Sequence, residues 1–234
     1  MNFLDPAFIA AFIAIVGFDI ILSGDNAVVI AMATRNLKGK ERTRAVLWGS
    51  AAAIIMRVIF TLFAVKLLGF PYLKIVGAVL LLWIGIKLMV PDDGEEEIAG
   101  QSGLFAAIKT ILIADLVMSI DNVVAVAAAA DAAPEQYKVL LLFLGLAISI
   151  PLIIFSSAIL LKLMDRYPVI VVIGAALLGI VAGQMLVSDP VTVGWVKANA
   201  PWLRYAVPIV GAIFVVGLGK YLAKKAQLAK PKST

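Results

Sequence analysis

Asp19-Ile20-Ile21-Leu22-Ser23-Gly24-Asp25-Asn26-Ala27-Val28-Val29 lies inside the first long apolar run of the chain. At an offset of 96 it returns as Asp115-Leu116-Val117-Met118-Ser119-Ile120-Asp121-Asn122-Val123-Val124-Ala125. Each copy holds an acid, a serine four residues on, and then an acid–amide pair. Carboxylates are costly inside apolar segments, and those kept there face a protein interior or a cavity and mark routes for ions or protons. The stretch therefore reads as the polar heart of a membrane protein, assembled from two copies of one motif.

The rest of the chain agrees. It has 234 residues, 63% hydrophobic and 15% charged, with a mean hydropathy of +1.06. A soluble domain of this size cannot hide that much apolar surface, whereas a polytopic membrane protein presents it to lipid. The repeat extends beyond the motif: Gly49 matches Gly145 at the same offset, and Pro71 and Gly77 match Pro168 and Gly174 at 97. The expected fold is an all-α polytopic membrane protein with seven transmembrane helices, arranged as two inverted three-helix repeats plus one C-terminal helix. An odd number of crossings per unit would bring the second unit in from the opposite face. The expected divisions are 1–90 for the first repeat, 91–103 for an acidic cytoplasmic linker and 104–187 for the second repeat. Residues 188–234 would then form an extracytoplasmic loop, the seventh helix and a basic cytoplasmic tail.

Charge is uneven. Arg35, Lys38, Lys40, Arg42 and Arg44 crowd the loop after the first apolar run, and Lys220, Lys224, Lys225, Lys230 and Lys232 close the chain. The positive-inside rule makes both clusters cytoplasmic and, with seven spans, puts the N-terminus outside. The net charge of +5 thus speaks of topology. No basic stripe is interleaved with exposed aromatics, so no nucleic acid partner is expected. The chain has no cysteine and no histidine, which excludes disulfides, thiolate and imidazole catalysis, and Cys/His metal centres. With no nucleophile–base pair and no phosphate loop, it is not read as an enzyme. The N-terminus has Asp5 and no basic n-region, so no cleaved signal peptide is expected.

The spacing of Asp19, Ser23 and Asn26 places them on one face of a regular helix. Ser23-Gly24 is where such a helix would break and turn Asp25 and Asn26 toward a cavity; copy two has Ile120 at the place of Gly24. Asp25, Asn26, Asp121 and Asn122 offer four side-chain oxygens, and Asp19, Asp115, carbonyls or water would complete about six. Oxygen ligands without sulfur or imidazole define a hard-cation site, suited to Mn²⁺, Mg²⁺ or Ca²⁺, and also to Na⁺ or protons. Ser23 and Ser119 are placed to orient carboxylates. Arg57 is the one basic residue deep in an apolar segment and is the candidate to compensate their charge. Metal and protons would compete for the same oxygens. No bound cofactor is expected. The partners are a divalent ion and membrane lipid, and a homodimer stays open.

On Leu22-Ser23-Gly24-Asp25-Asn26-Ala27 and Asp115-Leu116-Val117-Met118-Ser119-Ile120-Asp121-Asn122, the chain resembles the TerC family of integral membrane proteins, most closely its short YjbE-like branch. The resemblance implies export of metal ions, chiefly manganese, across the bacterial inner membrane. It implies as metal ligands Asp19, Asp25, Asn26, Asp115, Asp121 and Asn122. Two other readings stand beside it: an exchanger for Ca²⁺, Na⁺ or protons, and a membrane-protein assembly factor.

Overall fold

The computed structural model describes residues 6–22, 24–63, 70–90, 101–131 and 137–229. Among them are nine helices: α1 Pro6–Leu22, α2 Gly24–Thr34, α3 Gly39–Leu62, α4 Leu73–Met89, α5 Gln101–Asp131, α6 Lys138–Arg166, α7 Val169–Ser188, α8 Val193–Asn199 and α9 Leu203–Ala229. Helices suit these long Leu, Ile, Val and Ala runs because each backbone N–H and C=O is then satisfied within its own segment, as lipid demands. Most of the expected acidic linker, residues 91–100, lies outside the described residues. The loop expected at the start of residues 188–234 contains the short helix α8.

Particular residues set the helix boundaries. Arg42 closes the turn after α2, donating from Nε to the Leu37 carbonyl and from Nη2 to the Arg35 carbonyl, both at 2.7 Å. Gly39 opens α3 at a φ of +53°, a left-handed value that costs glycine little. Pro168 precedes α7, where its fixed φ suits the first turn. The start of α4 is held from across the chain. Asp189, fully buried beyond the end of α7, accepts the Tyr72 N–H at 3.1 Å and the Lys74 N–H at 3.2 Å. It also accepts the N–H of Val191 at 2.9 Å. Free amides at a helix start need such acceptors.

The expectation of seven spans in two inverted triplets is corrected. Among the described residues, four helical stretches are long and apolar enough to cross a membrane: Gly39–Thr61, Gly103–Ile120, Val169–Ser188 and Leu203–Leu228. One falls before residue 90, two between 103 and 188, and one at the C-terminal end, which is not a pair of matched triplets. Helix α4 is one source of the difference: a span needs about 20 apolar residues, and α4, bounded by Tyr72 and Val90, has 17 although it reads as apolar.

Helix α7 packs against α9 and α4, α3 against α5, and α1 and α2 against α5 and α6. The α7–α9 contact is backbone on backbone: a Cβ at Gly179 would lie 2.4 Å from the Gly211 carbonyl oxygen, and one at Gly183 2.4 Å from the Pro208 Cα. Gly49 and Gly145 are also sites of close approach. A Cβ at Gly49 would meet Ile111 at 2.8 Å, and one at Gly145 would meet Ile15 at 2.5 Å. The outward faces carry large apolar side chains such as Ile55, Trp83, Phe105, Phe155 and Ile213. The interior holds Arg57, Asp115, Ser119 and Asn26. Apolar outside and ionised inside is the distribution lipid favours.

Candidate ion site

Helix α3 carries Arg57 on its buried face, 2% exposed. From there the guanidinium reaches α5. Its Nη2 donates to Asp115 Oδ1 in a buried ion pair, and its Nε donates to Ser119 Oγ at 3.1 Å. Ser119 in turn donates to Asp115 Oδ2 at 3.3 Å. Asp115 and Ser119 are four apart on α5, so both present to the same neighbour. The three side chains form a closed knot in which both Asp115 oxygens are engaged. A carboxylate and a guanidinium buried together are tolerable because each satisfies the other's charge and hydrogen bonds.

The first motif comes to this knot on α2. Asp25 is partly buried, and its Oδ1 accepts the Asn26 N–H at 2.8 Å. It stands within electrostatic reach of both Arg57 and Asp115. Asn26 is 3% exposed, and among the described residues neither its side-chain oxygen nor its side-chain nitrogen has a hydrogen-bond partner. A buried carboxamide is normally bonded at both ends. Asn26 therefore offers a free acceptor inside the bundle.

Of the expected site residues, Asp25, Asn26, Arg57, Asp115 and Ser119 belong to this interior. Ser23 lies outside the described residues, as do the side chains of Asp19, Asp121 and Asn122. Among the described residues no group of three or more Asp, Glu, His or Cys side chains is gathered as a metal cluster. Of the buried polar residues not anticipated from the sequence, two stand out. One is Asp189, the cap described above. The other is Ser50 on α3, whose hydroxyl has no partner among the described residues. Helical spacing was the available signal, since Ser50 precedes Arg57 by seven residues and so shares its face.

The description "Integral membrane protein TerC family" matches residues 4–227 of the chain. The chain belongs to the TerC family. This TerC chain is 37% identical over 213 residues to "Uncharacterized membrane protein YjbE" of Bacillus subtilis (strain 168), covering 91% of the chain and 95% of that relative. It is 28% identical over 218 residues to "Uncharacterized membrane protein YceF" of the same organism, covering 89% of the chain and 80% of the relative. A more distant match, 24% over 210 residues, is to "UPF0053 inner membrane protein YoaE" of Escherichia coli (strain K12), covering 81% of the chain and 39% of the relative. No solved structure matches. The TerC family is one of integral membrane proteins, and this TerC chain is a polytopic member of it.

Chemically, the interior of this TerC chain combines a charge-neutral pair, a carboxylate within its field, and an unengaged amide oxygen. Such a set binds a hard cation through oxygen if Arg57 yields part of its hold on Asp115.

Proposed function

We propose that the chain is a secondary transporter exporting divalent metal ions, with Mn²⁺ the leading substrate, through an oxygen-lined site inside the helical bundle. The observation that carries the reading is Asn26, buried and unpartnered beside Asp25, within a bundle that also encloses Arg57, Asp115 and Ser119. Nothing in the packing requires an open acceptor there, whereas a cation does. The ligand set is Asp19, Asp25, Asn26, Asp115, Asp121 and Asn122, with Ser23 and Ser119 orienting carboxylates. Arg57 serves as a resident cation that holds Asp115 between turnovers, so that arrival of a metal ion loosens the guanidinium and its departure restores the pair. Protons compete for the same carboxylates, which gives a route to metal–proton exchange.

The protein acts in the bacterial inner membrane. The Arg35–Arg44 cluster and the Lys-rich tail are assigned to one side of the membrane, which the positive-inside rule makes cytoplasmic. The expected placement of the N-terminus outside rested on seven spans.

Mn²⁺ flux by purified protein in liposomes, with a pH gradient imposed and then removed, tests the reading. Transport of Mn²⁺ that slows when the gradient collapses is expected. Flux of Ca²⁺ or Na⁺ in place of Mn²⁺ would reassign the substrate. Absence of flux for every ion would overturn transport and favour a role in membrane-protein assembly.

A further inference from the structure

Ser50 stands apart from the other helical hydroxyls. Thr34 donates back to the Ile30 carbonyl at 2.7 Å, Thr61 to that of Arg57 at 2.8 Å, and Ser157 to that of Ile154 at 2.9 Å. This back-bonding is how Ser and Thr are ordinarily satisfied inside a helix. Ser50 is 1% exposed and makes no such bond among the described residues. A buried hydroxyl left without a partner loses its hydration and gains nothing in return.

Its position explains what it faces. Ile30 of α2, Val46 of α3 and Ile111 of α5 form one buried apolar cluster. Helices α2 and α3 run in opposite senses, since Ile30 meets Val46 while Asp25, further back on α2, stands near Arg57, further on along α3. Going deeper by one turn therefore means four residues back on α2 and four residues forward on α3. Those steps lead from Ile30 to Asn26 and from Val46 to Ser50. Helix α5 runs alongside α3 in the same sense, since Ile111 meets Gly49 and Asp115 meets Arg57. The same step on α5 leads from Ile111 to Asp115. Three helices thus each set an apolar residue toward the basic end of the bundle and a polar one behind it. Two of these polar side chains, Asn26 and Ser50, are the described residues with buried unpartnered atoms.

We infer that the Ser50 hydroxyl is, with Asn26, a ligand of the transported cation, the Ile30–Val46–Ile111 layer separating both from the basic end. A neutral hydroxyl oxygen is an ordinary ligand for a hard divalent ion and adds a donor without adding charge. The inference rests on the transport reading but concerns a residue outside both repeated motifs. Beyond the layer, toward the basic loop, lies a cavity of about 130 Å³ bordered by Ala33, Leu37 and Ala107, with Arg35 and Lys87 at its walls. That is where an ion passing the layer would emerge.

Isothermal titration of the purified protein with Mn²⁺ and Cd²⁺ tests it. Ser50→Ala is expected to weaken Mn²⁺ about tenfold, as for loss of one good polar contact. Ser157→Ala, which removes an equally buried but back-bonded hydroxyl, is expected to leave the affinity unchanged. The chain has no cysteine, so Ser50→Cys introduces a single thiol. It is expected to raise the Cd²⁺ to Mn²⁺ affinity ratio at least tenfold, because sulfur favours the softer ion. This second variant keeps the test decisive should Ser50→Ala not fold. Wild-type Mn²⁺ affinity in Ser50→Ala together with an unchanged metal preference in Ser50→Cys overturns the ligand assignment alone. A wild-type protein that binds neither ion overturns the transport reading, and this inference with it.

Discussion

Arg57 is the residue on which the interior turns. Removing one partner of a buried ion pair strands the other charge and typically costs about 3–5 kcal/mol, whereas replacing both by apolar groups is often neutral. Arg57→Leu is therefore expected to lower thermal stability in detergent strongly, and Arg57→Leu with Asp115→Leu to recover much of the loss. If the double variant melts no higher than the single, the knot is not the source of the effect. Loss of charge at the acid–amide pairs should act on transport instead. Asp25→Asn and Asp121→Asn are each expected to abolish most Mn²⁺ flux, and Asn26→Ala to reduce it less, since an amide carries no full charge. Wild-type flux in Asp25→Asn would remove that carboxylate from the site. The sequence announced Asp25, Asn26, Arg57, Asp115 and Ser119 because each is a chemical exception within an apolar run. Ser50 was legible only through its spacing to Arg57. Between Gly49 and three alanines it reads as small-residue packing, and only the tertiary structure reveals that its hydroxyl has no partner.

At the scale of helices, contacts between glycine backbones admit the least change. Gly183→Val would drive a side chain into the Pro208 backbone at a point where even a Cβ falls at 2.4 Å. Backbone cannot swing aside as a side chain can, so the cost should exceed the roughly 1–3 kcal/mol usual for overpacking. Gly85→Ala is the comparison. Its nearest neighbour is the Val215 Cγ1 at 3.0 Å, a contact that a small shift relieves, and a change within about 1 kcal/mol is expected. Melting curves of the two variants check this, and equal losses would mean that the α7–α9 contact is softer than it looks. The Gly179 and Gly183 spacing was visible in the sequence, but its partner helix was not. Nor was the capping of α4 by Asp189, since the two lie 117 residues apart at Tyr72. Pairings of that range are set by how helices assemble, not by local pattern.

For the whole molecule, hydropathy identified a membrane protein but led to more long spans than the four found among the described residues. Apolar runs mark which segments avoid water. Helix ends are decided by caps and turns, such as Arg42 on the Arg35 and Leu37 carbonyls, and these determine how many runs have the length to cross. The orientation proposal is tested by single cysteines at Lys40 and Lys224, both exposed. Labelling of both by a membrane-impermeant reagent only after the cytoplasmic side is opened is expected. Labelling from opposite sides would require an odd number of crossings between them.

The Arg57–Asp115 pair also bears on how the chain enters the bilayer during synthesis. Helix α3 has the lowest hydropathy of the four long spans found among the described residues, 1.4, and an unpaired arginine within a span adds to the cost of insertion, by about 2.5–3.5 kcal/mol at a helix centre. Its partner is made 58 residues later. Until α5 emerges, α3 has every reason to linger beside the translocation machinery instead of partitioning into lipid. A nascent chain cut short before α5 should leave α3 poorly inserted, and Arg57→Leu should release it from that wait.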